Sequence, residues 1–362
     1  MNSTLLVCGD FRYPHTNGYN KDLLNTLLIA DRNSCFVLFI NIPDENELTR
    51  FLETYALLSL KYQVIKNKDY YFLPRAFSYI ISPYKLRKII YDNRIKYLYF
   101  FPFHLFYLSV LNSIFIFRHK RIYAADLISI NRFVKFKKYQ SSKFFIDTIF
   151  FFLLERILIL AKYKFFLASE TMKHSFLMPN SSILIMPTVF QEELRPDISS
   201  VHLDNYVLFL RPNGLGMDLM LDSFAKLNVL NFHQSLCVVG SETFIRCDEY
   251  PNLRIIQINR VDDLSAYIVK SNFVVITDID GVGFSNRAYL TLILGGKLIT
   301  TLNGVRGISL NGNEYHLIEN PEDIVFFLNG KKLINYGEVL LPYTGEVYNL
   351  NYMKEVYQTV FL

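Results

Sequence analysis

Two patterns of hydrophobic and polar positions alternate along the chain. Short continuous apolar runs, bounded by turn residues, are followed by longer stretches in which apolar residues recur every three to four positions. The runs are typical of buried parallel strands and the stretches of helices packed on them, so the pattern predicts an α/β fold. We predict strands at 4–8, 35–40, 97–101, 121–124, 165–168, 183–186, 206–210, 235–239, 253–258, 273–277 and 298–301. We predict helices at 19–30, 46–60, 104–114, 142–161, 217–227, 261–270, 286–294 and 321–328.

The α/β rhythm occurs twice, with a break in between. Residues 191–204 are polar and are typical of a linker. A chain of 362 residues exceeds the length of a common single domain, which agrees with this division. We therefore predict two Rossmann-like domains, 1–190 and 205–345, that face each other across a cleft. Ligands of such sheets bind beyond the carboxyl ends of the strands, so the chemistry is expected there.

The composition indicates a folded protein and excludes disorder. Hydrophobic residues make up 51% of the chain and charged residues 20%, and there are 32 Phe and 25 Tyr but no Trp. So much flat apolar surface is not all expected in the core. The cysteines fall in no metal-site spacing and are expected to be reduced core thiols: Cys8, Cys35, Cys237 and Cys247. The first residues do not resemble an export signal, so a cytoplasmic location is expected.

Positive charge is concentrated in residues 61–143, which we call the basic block. It holds 17 Lys and Arg against three acidic residues, a net charge of +14, whereas the whole chain carries +5. Charge of this kind, interleaved with aromatic residues, is expected to attract an anionic membrane surface or a phosphate-bearing substrate. No RNP-like, zinc-finger or recognition-helix pattern accompanies it, so nucleic acid is not expected as a partner. An ordinary solvated basic face is the alternative.

Two apolar stretches beside the basic block are long enough to be considered as membrane spans. Residues 97–117 lack charge, but Pro102, His104 and Asn112 interrupt them, so a buried strand leading into a helix is predicted. Residues 144–166 contain charged residues and are typical of an interfacial or core helix. We predict peripheral attachment to the inner face of the cell membrane rather than spanning.

Glycine-containing loops follow predicted strands at places suited to an anion. One loop ends at Gly18, where a helix is predicted to start, and another carries Arg211 and Gly214 between a strand and a helix. Backbone amides at a helix N-terminus bind anions, and an arginine adds charge. A mere tight turn is the alternative for each loop.

A third loop, leading from a strand into a helix, carries the largest set of candidate phosphate-binding groups. These are Asp278, Asp280, Gly281, Gly283, Ser285, Asn286 and Arg287. Amides, helix dipole and guanidinium would act together on phosphate oxygens, whereas a turn with a helix cap is the alternative. Asp278 and Asp280 also form a D-x-D pattern of the kind that holds Mn²⁺ or Mg²⁺, although its late position argues against a metal site.

These motifs together resemble the GT-B glycosyltransferases, in particular the bacterial group 1, family 4-like enzymes of surface polysaccharide biosynthesis. The resemblance covers most of the chain and implies an acceptor-side first domain, a nucleotide-sugar-binding second domain and a C-terminal helix, 346–362, that returns to the first domain. It is carried by Gly18, Asp126 in RIYAAD, Glu155-Arg156, Ser169-Glu170, Pro187-Thr188-Val189, Val239-Gly240, and the run Gly281, Gly283, Asn286 and Arg287.

The resemblance implies transfer of a sugar from a nucleoside diphosphate-sugar donor to a lipid-linked or oligosaccharide acceptor. No metal or other cofactor is expected, since such enzymes use helix dipoles and cationic side chains. Leu290 stands where the family has an acidic ribose ligand, so Asp278 or Asp280 would hold the ribose, or donor binding is weakened. Two alternatives stay open: a catalytically degenerate, membrane-associated partner subunit, and a sugar-nucleotide epimerase.

Asp126 is the first candidate for a catalytic base. It follows a predicted strand within the basic block, and basic surroundings would keep its carboxylate ionised. His15 and His104 are second candidates. A helix cap or an ion pair is the alternative for Asp126, and a structural role is the alternative for the two histidines.

Overall fold

The chain folds into two compact units. Among the described residues, the first unit extends to residue 185 and the second comprises 195–329. The computed structural model describes residues 3–9, 18–32, 35–40, 44–57, 59–65, 83–101, 119–124, 128–160, 163–167, 183–185, 195–212, 215–241, 244–261, 263–279, 281, 283–310 and 314–329.

A sheet of parallel strands forms the centre of the first unit. Its seven strands within the described residues are arranged in the order β3-β2-β1-β4-β5-β6-β7. The inner strand β1 pairs on both sides, so that Leu5 lies opposite both Phe36 and Leu98. The strands are β1 (Ser3–Gly9), β2 (Phe36–Ile40), β3 (Lys61–Ile65), β4 (Ile95–Phe101), β5 (His119–Ala124), β6 (Lys164–Leu167) and β7 (Ile183–Ile185).

Helices of the first unit bury their apolar side chains on this sheet. Leu23 and Leu27 of the first helix and Phe51 of the second are fully buried against Val37 and Phe39. The helices are α1 (Gly18–Arg32), α2 (Glu45–Thr54), α3 (Pro83–Asp92), α4 (Ile128–Tyr139) and α5 (Ser142–Leu160). The last two form a helical hairpin, and Gln140 makes the turn between them with a positive φ of 49°.

The second unit repeats the parallel architecture. Within the described residues its six strands are arranged in the order β10-β9-β8-β11-β12-β13. The strands are β8 (Tyr206–Leu210), β9 (Ser235–Val239), β10 (Arg254–Ile258), β11 (Phe273–Ile276), β12 (Leu298–Thr300) and β13 (Tyr315–Leu317). The helices are α6 (Leu215–Val229), α7 (Leu264–Lys270), α8 (Asn286–Ile293) and α9 (Pro321–Leu328). On α6, Phe224 packs edge-on against Phe209 of β8, with ring centroids 5.0 Å apart.

Residues 195–204, which the sequence predicts as the end of a linker, pack against α7. The backbone N–H of Asp197 donates to a carboxylate oxygen of Asp263 at 3.0 Å, and Lys270 Nζ donates to the carbonyl of Val201 at 2.6 Å. Val201 is buried. This segment is therefore held on the second unit, and residues 191–194 lie outside the described part of the chain.

The predicted α/β class with two Rossmann-like domains is confirmed. The predicted strands at 206–210 and 235–239 match β8 and β9, whereas β3, β13, α3 and α4 have no predicted counterpart. The helix predicted to reach residue 60 ends at Thr54, because the chain turns at Ala56 with a positive φ of 51°. The predicted helix 104–114 lies outside the described residues.

The cysteines depart from the sequence expectation at one position. All four are free thiols, but Cys247 is exposed in a 3₁₀ turn between strands and is not a core residue. Cys8, Cys35 and Cys237 are buried, and burial raises the pKa of Cys35 to about 11. These three thiols are inert packing groups.

Candidate functional site

Three neighbouring strands of the second sheet end at the same edge. β8, β11 and β12 are adjacent and parallel, so the residues that follow them lie close together. These residues are Arg211 after β8, Thr277 and Asp278 after β11, and Thr301 after β12. The hydroxyl of Thr301 donates to the carbonyl of Asp278, which ties the ends of β11 and β12 together.

The carboxylate of Asp278 is held by two guanidinium groups. Arg287 Nη2 donates to both of its oxygens at 2.8 Å, and Arg306 Nη1 donates to Oδ2 at 2.9 Å. The side chain of Asp278 is 7% exposed, whereas those of Arg287 and Arg306 are 24% and 22% exposed. A buried carboxylate so paired is a fixed counter-ion of the arginines.

Arg287 also fixes the end of β8. Its Nη1 donates to the carbonyl of Leu210 at 2.7 Å and to that of Arg211 at 3.1 Å. Together with the bonds to Asp278, these contacts use four of the five N–H donors of the guanidinium. Burial lowers the pKa of Arg287, the Asp278 carboxylate raises it, and the positive charges of Arg306 and Arg211 lower it further.

Arg211 adds a third positive charge and is exposed. Its backbone has a positive φ of 40°, and its N–H donates to the carbonyl of Val239 at 2.8 Å. Its side chain passes over Gly240, where an added Cβ would lie 3.5 Å from that of Arg211. Arg211, Arg287, Arg306 and Asp278 form the arginine cluster, whose three guanidinium groups and one carboxylate give a net charge of +2.

The turn before α8 needs glycine at Gly281. This residue has a φ of 140°, which side-chain-bearing residues rarely adopt, and an added Cβ would lie 3.0 Å from Cζ of Arg306. The guanidinium of Arg306 therefore lies directly against the backbone of the turn. Gly281 permits this close approach between the loops after β11 and β12.

Several buried polar atoms at the start of α8 and in the turn after β12 lack a hydrogen-bond partner within the described residues. Ser285 is the N-cap of the helix and is 2% exposed, but its hydroxyl caps no backbone N–H. Its own N–H donates to the carbonyl of Arg306 at 3.0 Å. The unpartnered atoms are Ser285 Oγ, Asn286 Oδ1 and Asn303 Nδ2. Each such atom costs about 1–3 kcal/mol when left unpaired, so a ligand with donors and acceptors is favoured here.

Comparisons with protein-family models and with curated protein sequences found no match. A comparison with solved structures did. Sucrose-phosphate synthase from Thermosynechococcus elongatus matches with a TM-score of 0.64 and 12% identity, over 100% of this chain and 95% of that one. HepE from Anabaena, in complex with UDP and glucose, matches with a TM-score of 0.61 and 13% identity, over 90% and 89% of the two chains.

A UDP-GlcNAc 2-epimerase from Neisseria meningitidis, bound to UDP-GlcNAc, is also similar. The TM-score is 0.62 at 12% identity, and 99% of each chain is covered. The fold is that of the GT-B glycosyltransferases. Identity of 12–13% establishes the GT-B fold, whereas the activity has to be argued from the residues of this chain.

Within the GT-B fold, the second unit brings together most of the residues predicted to bind a donor. Gly240, Asp278 and Arg287 belong to or contact the arginine cluster, and Gly281, Gly283, Ser285 and Asn286 form the turn and the start of α8. Gly18 begins α1 in the first unit. The remaining predicted site residues lie outside the described residues: His15, His104, Asp126, Gly214 and Asp280.

The hydrogen bonds of Arg287 and Asp278, both predicted to bind a donor, indicate what each residue does within the site. Arg287 donates chiefly to Asp278 and to backbone carbonyls, and Asp278 has both oxygens engaged by arginines. Arg306, which is not among the residues predicted from the sequence, completes the arrangement. The sequence feature that could have indicated Arg306 is the segment TTLNGVRGI at the end of the last predicted strand, which contains glycines and one basic residue.

Leu290, which replaces the expected acidic ribose ligand, is buried within α8. It therefore contributes to the core of the second unit and offers no polar contact to a ligand. Because Asp278 is bound by two guanidinium groups, it is also unsuited to act as the first ligand of a D-x-D metal site.

Proposed function

We propose that the chain is a glycosyltransferase whose nucleoside diphosphate-sugar donor binds at the arginine cluster of the second unit. The observation that carries the proposal is the excess positive charge at the carboxyl ends of β8 and β11, near buried polar atoms that have no hydrogen-bond partner among the described residues. A diphosphate supplies the complementary charge and several acceptor oxygens. HepE and the epimerase of similar fold were solved with UDP and UDP-GlcNAc, which supports a nucleotide as the ligand.

The three arginines have different tasks in this proposal. Arg287 is a positioning residue, because four of its N–H donors already serve Asp278 and the end of β8. Arg211 and Arg306 supply charge to the departing nucleoside diphosphate. Backbone amides in the first turn of α8 and the hydroxyl of Ser285 donate to phosphate oxygens. Preorganised donors of this kind lower the barrier to transfer by stabilising the charge of the leaving group.

No metal ion takes part in the proposed reaction, because cationic side chains take its place. Addition of EDTA is then expected to leave transfer unchanged. The ribose would be held outside α8, since Leu290 is buried, and Asp280 is the candidate that the sequence offers.

We propose that the acceptor is a lipid-linked saccharide of surface polysaccharide biosynthesis. We also propose that the protein attaches to the inner face of the cell membrane. The net charge of the basic block supports such a surface. Asp126 is the proposed base, with His15 and His104 as second candidates. Asp126 comes two residues after the carboxyl end of β5, which is where ligands of parallel sheets bind.

Donor binding to the purified protein tests the proposal. Thermal unfolding is followed with UDP, UDP-glucose, UDP-GlcNAc and other nucleoside diphosphates, because a ligand at 100 times its Kd adds about 2.7 kcal/mol of apparent stability. At least one nucleoside diphosphate is expected to stabilise the protein. Absence of any shift at millimolar concentrations contradicts the proposal and favours the inactive partner subunit.

The Asp126→Asn variant tests the proposed catalytic base independently of donor binding. Transfer is expected to be lost while UDP affinity stays unchanged, since the base acts on the acceptor hydroxyl. Unchanged turnover excludes Asp126 as the base.

A sugar-nucleotide epimerase is the second candidate, which the 99% mutual coverage with the Neisseria meningitidis enzyme favours. Incubation with UDP-GlcNAc alone distinguishes the two. An epimerase changes the configuration of the sugar in the absence of an acceptor, whereas the proposed transferase needs an acceptor.

A further inference from the structure

The outward half of α5 is apolar along its whole length. Its large side chains recur on one side of the helix and are between 45% and 82% exposed. They are Phe145, Ile146, Ile149, Phe150, Phe152, Leu153, Ile157 and Leu160. We call this surface the outer face of α5. A contiguous apolar patch of several hundred Å² is as large as the largest patch on a typical soluble monomer, and such patches are often sites of interaction with a protein or a membrane.

The two acidic side chains of α5 point the opposite way, toward α4. Glu155 is 2% exposed and accepts from the N–H of Ser129 at 3.1 Å and from its hydroxyl at 2.5 Å. Asp147 forms an ion pair with Arg132 of α4 at 3.7 Å. A surface helix normally buries its apolar side and exposes its polar side. On α5 the acidic side chains are turned toward α4 and large apolar side chains face outward as well as inward, which suits a surrounding that is not water.

The α4–α5 hairpin that carries the outer face has exposed basic side chains. Lys135, Lys137 and Lys143 are exposed, and Arg156 lies over the ring of Phe152 at 4.9 Å. Lys137 lies over the ring of Phe133 at 4.8 Å. Among the side chains of α4 and α5 that the structure describes, no exposed one is acidic. An apolar helix face on a hairpin that also exposes basic side chains complements the acyl and headgroup layers of an anionic leaflet.

The dimensions of the outer face fit a membrane surface better than a second copy of the chain. A helix of 19 residues is about 28 Å long and about 10 Å wide, so its outward half covers roughly 450 Å². Stable protein interfaces need about 800 Å² on each partner. Within the described residues, no helix has both the length and the apolar content needed to span a bilayer.

We infer that α5 lies in the plane of an anionic bilayer, with its outer face in the acyl boundary and the exposed lysines of the hairpin at the headgroups. This inference rests on the peripheral attachment proposed above and assigns it to one element. It is independent of the donor chemistry, which belongs to the second unit.

Binding to lipid vesicles tests the inference. Sedimentation is measured with neutral phosphatidylcholine vesicles and with vesicles that also contain phosphatidylglycerol. The Phe150→Glu/Leu153→Glu variant is expected to bind the anionic vesicles at least tenfold more weakly than the unaltered chain. The matched control, Val229→Glu/Leu230→Glu, alters two exposed apolar residues of the second unit and is expected to bind normally. Circular dichroism and UDP affinity establish that both variants are folded.

Three other results of this experiment each overturn the inference, and each one indicates a different explanation. If the Phe150→Glu/Leu153→Glu variant binds anionic vesicles as tightly as the unaltered chain, the basic block alone is responsible for attachment. Absence of binding by the unaltered chain contradicts both the inference and the peripheral attachment. A dimer that this variant converts to a monomer, without vesicle binding, assigns the outer face to a second copy. UDP binding is measured separately, so failure of the donor proposal is distinguished from all three.

The absence of tryptophan from the chain permits a direct probe of depth. Phe150→Trp places a single fluorophore on the outer face, and Phe244→Trp places one on an exposed position of the second unit. Anionic vesicles are expected to shift the emission of the first variant to shorter wavelength, and brominated lipids to quench it. The second variant is expected to show neither effect, and an unshifted emission of Phe150→Trp in vesicle-bound protein overturns the inference.

Discussion

At the residue scale, Arg306 links two loops of the proposed donor site. Its guanidinium binds Asp278 and lies against Gly281. Arg306→Gln is expected to lower UDP affinity by about 10- to 100-fold, because hydrogen bonds to charged groups contribute roughly 1.5–3 kcal/mol. Titration calorimetry measures the change. Arg254→Gln, on an exposed position of β10, is the matched control and is expected to bind normally. Equal losses in both variants contradict a specific role for Arg306.

Substitutions at two glycines with positive φ distinguish the effect of backbone strain from the effect of disturbing the contact with Arg306. Gly281→Ala introduces a Cβ beside the Arg306 guanidinium, whereas an added Cβ at Gly295 meets nothing within 4 Å. Each substitution is expected to lower the free energy of unfolding by about 1–3 kcal/mol, since both backbones are strained for alanine. Only Gly281→Ala is expected to weaken UDP binding as well. Equal UDP affinities in the two variants show that the contact is unimportant.

The sequence predicts the members of this site better than their tasks. Asp278 and Arg287 stand out because a glycine-rich turn joins a strand to a helix within a few residues. Arg306 lies 28 residues from Asp278, and that pairing depends on β11 and β12 being neighbours in the sheet. Local sequence patterns do not contain this information. The same long-range contact decides that Asp278 is a counter-ion of arginines.

At the element scale, the buried Glu155 makes the stability of the α4–α5 hairpin sensitive to pH. Burial raises the pKa of Glu155 to about 6 from its ordinary 4.5, and the bonds from Ser129 oppose the shift. The folded state therefore binds more protons than the unfolded state between pH 4.5 and 6. Stability is expected to fall by about 2 kcal/mol as the pH rises through this window.

Urea unfolding at a series of pH values measures this effect. Glu155→Gln cannot titrate and is expected to remove that part of the decline, while Glu53→Gln, at an exposed position of α2, provides the comparison. An identical pH profile for Glu155→Gln and the unaltered chain contradicts the assignment.

Elements differ in how well the sequence predicts them. β8 and β9 are buried at every position, so a continuous apolar run defines their limits. β3 is an edge strand with several exposed positions, and its mixed sequence gives no such run. The existence of α5 is readable from its apolar content. The sequence does not show which side of α5 faces outward, because apolar residues occur on nearly all sides of the helix and only the contacts with α4 orient it.

At the scale of the whole molecule, each unit has its own parallel sheet, and the proposed donor site belongs to the second. UDP is expected to slow amide hydrogen exchange at 211–216, 277–287 and 301–306, because ligand binding suppresses local opening. The buried strands β1 and β2 are expected to exchange as before. Mass spectrometry of peptides with and without UDP measures both regions. Protection restricted to β1 and β2 contradicts the assignment of the donor site.

The two-domain α/β organisation is predictable because the alternation of strands and helices is a property of the entire chain. The predicted boundaries 1–190 and 205–345 stay predictions, as does the C-terminal helix 346–362, which lies outside the described residues. The position of the linker is harder to predict, because polar residues such as Asp197 can bind a neighbouring helix as readily as they meet water.

The strand order of the first sheet has a consequence for how the protein is made. β1 is synthesised first, yet one of its two partners is β4, and Leu5 lies opposite Leu98. The β1–β4 pair therefore cannot form until the roughly ninety residues that separate Leu5 from Leu98 have been synthesised. Parallel pairing over such separations is slow, since a long loop must be ordered before any contact forms. The nascent first unit is consequently expected to expose its apolar strands for longer than the second and to be the part that needs chaperones.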